Sequence, residues 1–158
     1  MQRRFNQLDD VWPAGLARRL GGMLYDGFLV AAIWIALTVL HVAFVRYGLG
    51  MGAEEVGADT AQRLTLQLLL LVGAYVFFAY FWTRSGMTLG MQAWRLRVQT
   101  RDGHTITLAQ SLIPYLVAWL SLAAFGLGYF WVLFDSERRS WPDLVSGTRV
   151  VVLPKTRR

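Results

Sequence analysis

Three long runs without a charged residue decide what this chain can become. Gly27 to Val45 contains no Asp, Glu, Lys or Arg, and neither does Leu64 to Thr83 or Thr105 to Phe134. A membrane helix needs about 20 mostly apolar residues, and the first two runs fit that requirement. One such run alone would be a buried helix of a soluble protein. Three in 158 residues leave almost no water-soluble body to bury them. Charged residues make up 16% of the chain, against about 25% in a typical soluble domain. The expected fold class is therefore all-α integral membrane. It is a helical bundle of three apolar segments, the third broken or re-entrant, with a small cytoplasmic β-hairpin and a C-terminal strand.

The first run is expected to be a permanent span and not a cleaved leader. A polar segment with Asp9 and Asp10 precedes it, and the run is too long for a signal core. The net charge of +6 suits either nucleic acid or a membrane surface. The basic residues flank the apolar runs instead of forming one long polar face, which favours the membrane and argues against nucleic acid.

Sidedness follows from the rule that short basic loops stay cytoplasmic. Arg3, Arg4, Arg18 and Arg19 precede the first run, and Arg84, Arg95, Arg97 and Arg101 follow the second. The first loop, Arg46 to Arg63, holds Glu54, Glu55 and Asp59. The N-terminus and second loop are expected inside and the acidic loop outside. Three simple spans would then put the tail outside, although it carries Arg138, Arg139, Arg149, Lys155, Arg157 and Arg158. A break at Gly126–Gly128 resolves the conflict by letting the third run dip in and return. Non-helical backbone at that depth requires protein cover.

The polar segments read as strands. Trp94, Leu96 and Val98 alternate with Arg95 and Arg97, an Arg101-Asp102-Gly103 turn follows, and His104 to Leu108 reads as a second strand. Thr148 to Leu153 is rich in β-branched residues and strand-like. A hairpin is marginal alone, so the tail strand is expected to join it, on the cytoplasmic side. The expected organisation is a polar segment 1–14, a membrane domain 15–152 and a basic tail 153–158.

Asp26 is the most costly residue in this arrangement. A carboxylate at a membrane-helix centre costs roughly 2.5–3.5 kcal/mol on insertion scales, and such residues usually face the protein and have partners. Arg19 lies two helical turns earlier on the same face. The two are expected to nearly meet through water, or to hold a third group together, or to serve only as an anchor (Arg19) and a cap or structural partner (Asp26). Gly21 and Gly22 between them let another backbone approach. Asp143 follows the last apolar run. With a cytoplasmic tail it shares the membrane face of Arg19, so the candidate site is a polar cluster of Arg19, Asp26 and Asp143. Trp82, Trp94, Trp131 and Trp141 read as interfacial anchors. His41 and His104 lack a second ligand at metal spacing. With no cysteine and no catalytic constellation, neither a metal, a cofactor nor an enzymatic activity is expected.

Three ordered pieces resemble the RDD family of small membrane proteins, named for one arginine and two aspartates. Gly15 to Asp26 resembles its opening motif, with Arg19 and Asp26 in the named roles. Thr88 to Met91 through Leu96 to Val98 and Asp102-Gly103 resembles the middle motif, and Trp131 to Val152, containing Asp143, the closing one. Two positions depart from the pattern. Ile113-Pro114-Tyr115 stands where members often carry arginine, and Pro142 where they often carry histidine. The resemblance implies a multi-pass bacterial inner-membrane protein of a family whose function is largely unassigned, with transport, including cation/proton exchange, proposed for some members. It leads to two functional expectations. One is a transporter or transporter subunit handling a proton or monovalent cation, as a homo-oligomer because three spans line a pathway poorly. The other is a non-catalytic scaffold or accessory module that binds another membrane protein.

Overall fold

The computed structural model describes residues 2–6 and 9–155. The chain divides into two compact units, Met1–Asp26 with Phe78–Arg158, and Gly27–Phe77. Two long helices run through both. They are α1 (Leu16–Ala43), extended by one π-helical turn at Phe44–Gly48, and α2 (Thr60–Arg84). Both are long and apolar enough to cross a membrane. Only 11% of the most apolar window of each is buried within the chain. Leu24, Phe28, Ile35, Val39 and Leu40 on α1 and Leu64, Leu68, Val72 and Val76 on α2 are exposed. A soluble fold would leave these side chains in water, so their exposure marks a surface made for an apolar solvent.

In the unit Gly27–Phe77 the two helices pack through small and polar contacts. Gly73 leaves room for Leu37, and the Trp34 indole N–H donates to the Leu70 carbonyl at 2.9 Å. The loop between the helices, with a short 3₁₀ turn at Ala53–Glu55, is tied by Gln62, which accepts from the Gly57 N–H at 2.8 Å.

In the other unit a small sheet forms the centre. β1 (Trp12–Pro13), β2 (Leu96–Thr100) and β3 (Thr148–Val152) lie in the order β1-β3-β2, both pairings antiparallel. β3 pairs residue for residue with β2, from Leu96 with Val152 to Thr100 with Thr148. The tail strand thus joins the second connection, as its β-branched sequence suggested. Ala14, Met91, Leu96, Val150 and Val152 form the apolar core beneath it. Arg97 is buried on β2, with its guanidinium 4.1 Å from the Phe5 ring centroid and donating to Gln99 Oε1. Burial and the nearby Arg149 charge hold Arg97 below the usual arginine range.

The expected hairpin is corrected. His104 to Leu108 is not a strand. His104 makes one isolated bridge to Arg4, and Thr107 turns the chain into α4 (Leu108–Ala123). Thr107 accepts from the Gln110 N–H while Gln110 accepts from the Thr107 N–H, a reciprocal cap that satisfies helix-end donors and outcompetes strand pairing. The third strand comes instead from the N-terminal segment, and it pairs with β3 at the other edge of the sheet. Besides β1, the Ala14 N–H donates to the Val150 carbonyl at 3.0 Å, so residues 12–14 are built into the sheet. The expected basic tail is described through Lys155, and residues 156–158 lie outside the described residues.

The third apolar run is broken. α4 ends at Ala123, and α5 (Leu127–Phe130) continues into a 3₁₀ turn at Trp131–Leu133, bent by 105° from α4. Phe125 and Gly126 occupy left-handed backbone (φ 59° and 79°), which glycine adopts without steric cost. The 16 residues of α4 rise about 24 Å, less than the ~30 Å hydrocarbon core of a bilayer. Two short elements complete the unit, α3 (Leu89–Ala93) after α2 and α6 (Trp141–Ser146) before β3.

Candidate functional site

The first turns of α1 carry two buried charges that lead to different parts of the chain. Arg19 is 6% exposed. Its Nε–H donates to the Ala14 carbonyl at 3.2 Å and Nη1 to Ser140 Oγ at 3.5 Å. Nη2 donates to the Arg138 carbonyl and to Asp143 Oδ2, each at 2.8 Å. A planar guanidinium has five donors in a fixed fork, and this one addresses four acceptors, the Ala14 carbonyl before α1 and three at the entry to α6.

Asp143 is placed by the local sequence Ser140-Trp141-Pro142-Asp143. Ser140 caps α6, Pro142 lies in its first turn and Asp143 is the third helical residue. The same Asp143 Oδ2 that meets Arg19 accepts from the Ser140 N–H at 3.2 Å. Asp143 is 5% exposed, so the helix cap and the ion pair share one buried carboxylate. Pro142 has no N–H to satisfy in that first turn, which accounts for a proline beside the aspartate. Tyr129 of α5 is within electrostatic reach of both charges. Downstream of α5, Asp135 and Arg139 form a second, two-pronged pair. Arg139 Nε and Nη2 donate to Oδ2 and Oδ1 at 2.8 and 3.1 Å. The Arg139 hydrogen bonds hold Asp135 down to about 2.

Asp26 faces α3 instead. Its Oδ2 accepts from the Thr88 hydroxyl and its Oδ1 from the Gly90 N–H at 2.9 Å. Thr88 is fully buried, and its hydroxyl oxygen also accepts from the Met91 N–H at 3.2 Å, capping α3. One hydroxyl therefore ties the cap of α3 to the carboxylate of α1. Gly90 is required by the close approach. A Cβ there would collide with the Gly22 carbonyl oxygen and the Asp26 carboxyl. A Cβ on Gly21 would collide with the Trp94 indole, and Arg18 Nη1 donates to the Trp94 carbonyl at 3.2 Å. The glycine pair Gly21-Gly22 thus lets the α3 segment lie against α1.

The geometry joins Arg19 to Asp143 and leaves Asp26 in a separate clasp. Among the described residues no ion pair involves Asp26. Thr88, Gly90 and Ser140 are the partners that sequence reasoning missed. Ser140 was signalled by the Ser-x-x-Asp spacing of a helix cap. Thr88 was signalled by its place before a glycine-containing turn, though nothing local pointed to Asp26. Among the described residues, no group of three or more His, Asp or Glu could hold a metal ion.

Long unburied apolar helices, a small sheet and two buried clasps at the start of α1 define a small helical protein of membrane type. The chain belongs to the RDD family, whose sequence model matches residues 13–147 and so includes Arg19, Asp26 and Asp143. Over 148 residues it is 28% identical to the Bacillus subtilis (strain 168) protein described as "Uncharacterized protein YxaI", covering 88% of this chain and 97% of that one. No solved structure matches the chain.

Proposed function

We propose that this protein is a multi-pass module of the bacterial inner membrane whose cytoplasmic cap, clamped to the helix ends, serves as a non-catalytic binding platform for another membrane protein or a second copy. The observation that carries this reading is the commitment of Arg19 to four acceptors at once. A guanidinium so fully used holds structure and has little freedom to exchange partners. The sheet supports the sidedness. β1 comes from the N-terminal segment, β2 from the connection after α2 and β3 from the tail. If α1 and α2 each cross, the segments before and after them share one side, and β3 requires the tail to be there too. Residues 105–134 then enter and return, in keeping with the 105° bend and the shortness of α4. The basic loops make that side cytoplasmic. Labelling a C-terminal cysteine in oriented vesicles tests the arrangement. Access from the periplasmic side would refute it.

A specific observation favours a second reading, cation/proton transport through Asp26. Its carboxylate is 5% exposed and held by two neutral donors, so it has room in its chemistry for a proton or a monovalent cation. A pH-dye assay on the reconstituted protein separates the readings. Cation-driven proton flux that Asp26→Asn abolishes, with folding intact, selects transport. Absence of flux across several cations, with Arg19 and Asp143 substitutions lowering abundance, selects the platform.

A further inference from the structure

We propose that the groove between the N-terminal segment, the end of α2 and the start of α4 binds the phosphate of an anionic phospholipid. A cavity of about 400 Å³ opens there, lined by Arg3, Thr83, Arg84, Ile106, Thr107 and Leu108. Two exposed arginines, Arg3 and Arg84, are among its lining residues. Arg3 Nη2 donates to the Arg84 carbonyl at 3.4 Å, and the Arg84 guanidinium lies 4.8 Å from the Tyr80 ring centroid. Among the described residues neither arginine has a carboxylate partner, since the ion pairs there involve Arg19, Arg101 and Arg139. Two like charges beside one groove attract an anion, and guanidinium matches phosphate oxygens through paired N–H donors. Thr107 and Leu108 are the cap and first residue of α4, so the positive end of that helix adds to the same field.

The surroundings select a lipid over a free anion. Leu108, Leu112, Leu116 and Leu120 recur every fourth residue and are all exposed, so they form one apolar track down α4 from the groove. A bound headgroup would leave its acyl chains along that track. The assignment rests on the membrane reading, because it places the groove at headgroup level beside the last turn of α2.

The test is lipid retention by the full-length protein purified in mild detergent, read by native mass spectrometry. Phosphatidylglycerol, phosphatidylcholine and inorganic phosphate are the probes. Wild type retains phosphatidylglycerol over phosphatidylcholine. R3Q/R84Q weakens that retention at least about tenfold, the effect expected from losing charge-assisted hydrogen bonds. R3K/R84K restores part of it, and R101Q, which removes an exposed charge paired with Glu137, leaves it unchanged. Equal retention of both lipids, or no loss in R3Q/R84Q, overturns the proposal. Displacement of phosphatidylglycerol by inorganic phosphate at equal concentration overturns the lipid assignment. Extraction of the wild-type chain from membranes by alkaline carbonate would instead overturn the membrane reading.

Discussion

Arg19 on α1 and Asp143 on α6 are 124 positions apart in the chain and meet at 2.8 Å, each side chain 6% exposed. The contact ties the start of the first membrane-type helix to the helix that leads into the last strand. Removing one partner of such a buried pair leaves the other charge uncompensated, which costs roughly 3–5 kcal/mol. Arg19→Met and Asp143→Leu are each expected to lower thermal stability in detergent and abundance in membranes by that order. The double variant should lose less than the sum, because neither charge is then stranded. Arg19→Lys should also be destabilised, since an ammonium cannot serve four acceptors in a planar fork. Near-neutral single variants would mean the pair does not lock the fold.

Gly90 gives a sharper test of the Asp26 clasp. Gly90→Ala forces a Cβ into the Gly22 carbonyl and the Asp26 carboxyl, so the helix start and α3 must move apart. Overpacking of this kind costs typically about 1–3 kcal/mol. Gly27→Ala, at the residue after Asp26 on α1, is the comparison, because a Cβ there meets nothing within 4 Å. It should be neutral or slightly stabilising. Thermal unfolding of both variants checks the contrast, and equal behaviour would remove the close approach from the account.

The hydroxyl of Thr88 links two duties, donating to Asp26 and capping α3. Thr88→Val removes both, with an expected loss of about 1–2 kcal/mol from the cap alone. Thr88→Ser keeps the oxygen and should recover most of it. Protease resistance of the segment 85–107 in membranes reports the outcome. A fully resistant Thr88→Val would show that Gly90 alone holds the clasp.

Much of this was legible because length and charge act over whole segments. α1 and α2 followed from two uncharged runs. The break in the third run followed from Gly126 and Gly128, of which Gly126 takes the left-handed backbone. β3 followed from β-branched residues, and its partner from the need of a lone strand for neighbours. The second strand of the hairpin failed because Thr107 and Gln110 form a helix cap, a local bond pattern that starts a helix where the turn suggested a returning strand. Helical spacing correctly put Arg19 and Asp26 on α1 two turns apart, but a shared face does not choose a partner. Arg19 meets the segment before α6, Asp26 meets α3, and that division comes from tertiary packing around Gly22 and Gly90. The Arg19–Asp143 link was reachable only through sidedness, since no local pattern joins residues so far apart.

The Asp135–Arg139 pair predicts the acid response of the cap. Arg139 holds Asp135 down to about 2, chiefly through its side-chain hydrogen bonds, against about 3.9 for an unperturbed aspartate. A folded-state value below the unfolded one means the unfolded chain binds the proton more readily. The pair's contribution to stability is therefore present above about pH 4 and is lost as pH falls towards 2. Wild type and Asp135→Asn should show a gap in melting temperature at pH 5 that closes steadily over that window. The exposed setting of Glu137, which Arg139 also reaches at 3.5 Å, makes the gap small and salt-sensitive. Melting curves in detergent at pH 2 to 6, at low and high salt, measure it. A gap that stays constant across the window would show that the aspartate acts as a neutral hydrogen-bond acceptor for Arg139 and not as its counter-charge.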